Sequence, residues 1–168
     1  MSESNSVIED FRKRLDKASS YSEVWEIVKN SVSLSLKIHR SGMMLFLDDL
    51  PIHLGAYHPL GTNNIVLNRR LVQIVETTIK SKTAVNALIY DLLLHEYLHA
   101  LGEYSEAEVR SLVYEISKKC FGSDHIVTSV ALKSPWSLLE GIPPQAVNMR
   151  TRVIEIVKDF EKTDKYIV

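Results

Sequence analysis

Thr83–Gly102 reads TAVNALIYDLLLHEYLHALG, a run that is apolar on nearly every side. Thr83 is placed to cap a helix through Leu101, and Gly102 to end it. A helix apolar all round has to be covered by other elements, so this one is expected at the centre of the molecule. Its most apolar part, Ala84 to Leu94, is about half the roughly 20 residues of a membrane span and is interrupted by Asn86 and Asp91. No membrane span is expected.

On the N-terminal side, Leu71 to Ile79 has helical periodicity, and before it the pattern changes. Met43–Leu47 is an extended apolar run, and Leu54–Tyr57 and Ile65–Leu67 flank the turn residues Pro59–Asn63, which together predict a small sheet. Earlier still, Val7–Ala18 and Ser22–His39 read as amphipathic helices, the second opened by a Ser22 cap. On the C-terminal side, Ser105-Glu106-Ala107-Glu108 has the form of a capping box and predicts a helix to about Lys119. A shorter helix over Asp124–Lys133 follows the break at Gly122. Pro144 opens a last helix to about Lys162, with Val147, Val153, Ile154, Val157 and Phe160 in one apolar stripe. Such a stripe ordinarily packs on the core; the alternative is a surface for homo-oligomer formation or self-inhibition.

The fold class expected is α+β, mostly helical, with a small sheet before the central helix and extra N- and C-terminal helices. A chain of 168 residues fits one domain, here divided into N-terminal helices over 1–40, a core over about 43–125 and a C-terminal helical segment over 135–168. Apolar residues make up 45% and charged residues 24%, which points to a folded chain rather than disorder. The formal net charge of -1 offers no positive field for a phosphate backbone, so nucleic acid is not an expected partner. Cys120 is the only cysteine, so no intrachain disulfide can form. It reads as a small buried hydrophobe. Met1–Ser6 is polar and runs into charged residues, with no hydrophobic export region. A cytoplasmic protein is expected.

The chemistry lies near the end of the central helix. His95 and His99 are four residues apart, which puts both imidazoles on one helix face, one turn apart. Two ligands of a tetrahedral zinc ion are thereby positioned, and Glu96 projects beside them, where a carboxylate can take a proton from a water that the metal has acidified. Three polar groups among Leu92, Leu93, Leu94, Leu98 and Leu101 would be unfavourable if buried unpaired, and coordination removes that difficulty. A catalytic zinc takes a third side chain and leaves the fourth position to water. Glu106 is the first candidate, because Gly102 lets the chain reverse and start the next helix close to His99. His125 is the alternative, although a helix of about 15 residues, roughly 22 Å, separates it from His99. Glu103 and Glu115 remain open as well. Asp91, one turn before His95, is either a partner that orients that imidazole or a solvated carboxylate.

His95-Glu96-Tyr97-Leu98-His99-Ala100-Leu101-Gly102 resembles the active-site helix of the zincin metallopeptidases. Among these, a ligand glutamate on a following helix marks the gluzincin group. Glu106-Ala107-Glu108-Val109-Arg110 is similar to the Glu-x-Glu-Ala-Asp of their membrane-associated relatives, with Glu106 on the ligand position. The chain departs from that pattern at Arg110, where those relatives carry an acidic residue, and in the short gap after His99. Gly55–His58 with Asn64–Asn68 resembles the upper-rim strand on which zincins bind a substrate backbone. Minigluzincins are the nearest comparison in size and layout. The resemblance covers roughly residues 43 to 125 and implies a zinc endopeptidase acting on peptide or protein substrates. Tyr57 and His58, following the rim, are the candidates to polarise the scissile carbonyl or hold an oxyanion.

Two functions therefore stand as expectations. One is peptide-bond hydrolysis with Zn2+ held by His95, His99 and Glu106 and with Glu96 as general base. The other is a non-catalytic zinc-binding module of the same fold, acting in partner binding or regulation.

Overall fold

In the computed structural model, which describes residues 2–141 and 152–161, two amphipathic helices open the chain. α1 (Glu3–Lys17) buries Phe11 and Leu15, and α2 (Tyr21–Leu36) buries Val24, Trp25, Ile27, Val28 and Val32. The cap of α2 is Ser20 rather than Ser22: its side chain accepts from the Glu23 amide, and the Glu23 carboxylate returns to the Ser19 amide at 2.9 Å. Ser20-Tyr21-Ser22-Glu23 is thus the working cap sequence, two residues before the expected one.

Three strands follow: β1 (Met44–Asp48), β2 (Ala56–Tyr57) and β3 (Asn64–Asn68). β1 runs parallel to β3, with Met44 opposite Asn64 and Asp48 opposite Asn68, and β2 pairs antiparallel with β3. Leu45 and Leu47 of β1 and Ile65 and Leu67 of β3 are buried in one core with the helices. β2 is an edge strand. Gly55, just before it, passes so close to the next layer that a Cβ there would lie 2.6 Å from Leu92 Cδ2 and 2.9 Å from the Trp136 ring. Only glycine lets this rim approach the helix beneath.

α3 (Arg69–Ile79) leads to α4 (Lys82–Ala100), which packs against every other α-helix and against β2 and β3. Its cap is Ser81, accepting from the Ala84 amide, while the Thr83 hydroxyl donates to Asp16 Oδ1 at 2.8 Å. The polar residues of this central helix are mostly used to tie other elements to it. Asn86 Nδ2 donates to the Leu15 and Ala18 carbonyls at the end of α1, both at 2.8 Å, and the Tyr90 hydroxyl donates to Ser31 at 2.9 Å. α5 (Glu106–Phe121), α6 (Ile126–Lys133) and a 3-10 turn (Pro135–Leu139) complete this part of the fold. Cys120 is fully buried in the core.

The expected C-terminal helix is corrected wherever the chain is described. Residues 152–161 contain no helix: β4 (Glu155–Ile156) pairs antiparallel with β1, giving a sheet ordered β2-β3-β1-β4, and a turn at Lys158–Asp159 follows it. Pro144 and Val147 lie outside the described residues. The apolar spacing suits a helix, but β1 presents an unpaired edge, and bonds such as Val157 N–H to the Leu45 carbonyl at 2.8 Å outweigh the local periodicity. The segment is also clamped. Arg69 donates to Asp49 Oδ1 and to the Val153 carbonyl, both at 3.0 Å. The Glu161 carboxylate accepts from the Gly42 and Met43 amides, and Phe160 stacks on Trp25 at 4.9 Å. Of the supposed stripe, Phe160 is buried whereas Val153 is 85% exposed. β4 sits on the sheet edge opposite β2, so this described part of the C-terminal segment does not cover the β2 edge. No described helix is long and apolar enough to cross a membrane.

Candidate metal centre

Glycine and serine at the end of α4 determine where the third polar group lands. Gly102 adopts φ +110°, a left-handed conformation that glycine takes without strain, and its amide closes onto the His99 carbonyl at 3.0 Å. The chain turns back, and Ser105 caps α5 by accepting from the Glu108 amide at 3.3 Å. The Ser105 amide donates to Glu103 Oε1 rather than to Glu108, so the box is closed from the other side. Glu106 in the first turn then stands over the histidine face of α4.

His95, His99 and Glu106 come together: one donor atom from each lies within 4.8 Å of the others, so this group could hold a metal ion. His95 Nε2 is 3.1 Å from Glu106 Oε2, and His99 Nε2 is 2.7 Å from Glu106 Oε1. The second nitrogen of His99 settles its tautomer. His99 Nδ1 is 2.8 Å from the Glu103 carbonyl, which can only accept, so Nδ1 carries a proton and Nε2 is the nitrogen turned to the carboxylate. A ring nitrogen and a carboxylate oxygen 2.7 Å apart call for a cation shared between them, either a proton or a metal. Two imidazoles and a carboxylate form a donor set that suits zinc, whose ligands sit about 2.0–2.2 Å from the ion.

The electrostatics of the group are uneven. Burial lowers the His95 pKa, with Glu106 pulling the other way, which favours the neutral ring that can ligate a metal. For Glu106, burial acts upward but is outweighed by His95 and His99, leaving the carboxyl below its usual value. Glu96 is 7% exposed and makes no hydrogen bond among the described residues. Burial pushes its carboxyl up to about 7, with His99 drawing it down and Glu106 raising it.

His95, Glu96 and Glu106 line a cleft of about 700 Å3, whose other walls include His53–Ala56, Leu92, Arg110, Val113 and Trp136. A smaller cavity of about 380 Å3, near the starts of α2 and α4, lies away from them. Tyr57 and His58 are not among the lining residues: Tyr57 is exposed on β2, and His58 Nδ1 donates to the Asn64 carbonyl at 2.8 Å, tying the β2–β3 hairpin. His125 does not join the cluster. It caps α6, its Nδ1 accepting from the Val127 amide at 3.2 Å, with the Phe121 ring 5.2 Å away. Glu115 is exposed further along α5, and Glu103 contributes its carbonyl and its contact to Ser105. Asp91 also lines the cleft, but no hydrogen bond joins it to His95 among the described residues.

The chain matches no family model, no curated protein and no solved structure. The chemistry of the cleft therefore rests on its own residues. Sequence reasoning did not pick out Trp136 or His53 as part of it. Gly55, an isolated glycine in an apolar extended run, carried a signal of close backbone approach. For Trp136, which comes from beyond α6, no local pattern pointed here.

Proposed function

We propose that the protein is a zinc-dependent endopeptidase of zincin type, with His95, His99 and Glu106 as ligands and Glu96 as general base. The observation that carries this reading is Glu96 itself: a buried carboxyl without a hydrogen-bond partner among the described residues, beside a convergent three-donor group and open to a cleft. A structural metal site has no use for such a group. Bound zinc would supply Lewis acidity, polarising a scissile carbonyl and acidifying a water molecule. Glu96 takes the proton from that water and passes it to the leaving amine. The Glu103 carbonyl holds the His99 ring through Nδ1, keeping Nε2 turned to the ligand position. Among the described residues β2 is an edge strand, and an extended peptide pairing along such an edge meets little demand on side-chain identity.

The test combines metal analysis with cleavage of an unfolded protein substrate. Wild-type protein should carry about one zinc per chain and cleave, while Glu96→Ala should retain the metal and lose roughly 10²–10⁴-fold in rate. Equal rates for the two proteins would refute the base assignment. Full zinc occupancy without any cleavage by wild type would favour a non-catalytic zinc module.

A further inference from the structure

We propose that Asp91 is the receptor for a cationic side chain, lysine or arginine, of a peptide bound in the cleft beside the metal-ligand trio. The peptide as ligand rests on the peptidase reading above; the cationic preference rests on Asp91 and its surroundings.

Asp91 lies on α4 one turn before His95, is 5% exposed, and lines the cleft. Among the described residues it has no hydrogen bond and no ion pair. Asn86 and Tyr90, on the same helix, are buried too, and both make hydrogen bonds, Asn86 to the end of α1 and Tyr90 to α2. A carboxyl that is mostly buried, has no partner among the described residues and opens only on the cleft is poorly solvated as an anion, and a cation entering the cleft would offset that. Burial alone pushes it up to about 7, in keeping with the missing partner.

The neighbours say what kind of group fits. Leu92, Val113 and Trp136 line the same cleft and offer apolar surface to the methylene stem of a long cationic side chain. An indole face also suits a guanidinium. The chain's own cations do not answer Asp91: Arg110 and Lys133 are exposed cleft residues, and neither forms an ion pair with it. An acidic ligand side chain would instead meet Asp91, Glu96 and Glu106 together.

The probe is a pair of alanine-based peptides blocked at both ends, one with a central arginine and the other with its uncharged isostere citrulline. Both are titrated by calorimetry into zinc-supplemented full-length Glu96→Gln protein, which leaves the peptides uncut. The arginine peptide should bind roughly ten- to a hundredfold more tightly, the range of a charge-assisted hydrogen bond, and adding Asp91→Asn should bring the two affinities together. Equal affinity with Asp91 intact, failure of both peptides to bind, or a preference that survives in Asp91→Asn would each overturn the proposal. The comparison on intact Asp91 does not depend on how the variant folds. Cleavage of the arginine peptide by unsubstituted protein is measured separately. Selective binding without cleavage would remove the peptidase reading and keep the Asp91 assignment, whereas cleavage without selectivity would do the reverse.

Discussion

Removing the Asp91 charge should make the metal-free protein more stable, and the gain should depend on pH in a defined direction. In the fold this carboxyl titrates near 7 because burial disfavours its charged form, against an ordinary value of 3.8. Between those values the folded state holds a proton that the unfolded chain has released, so wild-type stability falls as pH rises through the interval. At 1.36 kcal/mol for each pH unit, the full loss above pH 7 is about 4 kcal/mol. Asp91→Asn has the same shape and does not titrate. With metal removed by chelation, denaturant unfolding at pH 4 should give wild type and variant within about 1 kcal/mol. At pH 8 the variant should be ahead by about 2–4 kcal/mol, equivalent to several degrees or more in Tm for a domain of this size. A stability difference that is the same at pH 4 and pH 8 would show that Asp91 is solvated or paired in the folded state, and the reasoning on its burial would fail.

Two other perturbations separate the roles of charged groups in the fold. Glu106→Ala should weaken zinc binding by at least roughly tenfold in a chelator competition, since it removes one of three donors, while His125→Ala should leave affinity unchanged because that ring only caps α6. The reverse order would hand the ligand role to His125. Arg69→Met should lower stability by about 3 kcal/mol in denaturant unfolding, because it leaves Asp49, whose side chain is 1% exposed, without its cation and, among the described residues, with only the Arg152 amide as partner. Burial alone would raise the Asp49 carboxyl, but Arg69 and the Arg152 amide outweigh it and hold it below the usual value. Its stabilising contribution is therefore present above about pH 4 and lost as the solution is made more acidic. A loss under 1 kcal/mol in Arg69→Met would show that the clamp on β4 contributes little.

Local patterns in the sequence carried the helices and the pairing of His95 and His99 on one helical turn. The helices up to α6 are legible from apolar periodicity, with shifts of a few residues where Ser20 and Ser81 cap in place of Ser22 and Thr83. Those shifts arise because several serines and threonines near a helix start can cap it, and packing chooses among them. Over residues 152–161 the expected helix is absent for a different reason. Arg152–Phe160 has residues that can serve a helix face or a strand, and only the presence of the β1 edge and of Arg69 decides for the strand.

The sequence by itself determined that His95 and His99 share a helix face with Glu96 beside them, because a helix of fixed pitch converts a spacing of four into neighbouring side chains. It also determined that α4 is central, since a helix apolar on all sides has to be covered. That Glu106, and not His125, stands beside the two histidines was decided by the tertiary structure, through the reversal at Gly102 and the cap at Ser105. So was the meeting of Gly55, Asp91 and Trp136 in one cleft. Those residues are far apart in the chain and are brought together only by packing of separate elements, for which no local repeat encodes the distance.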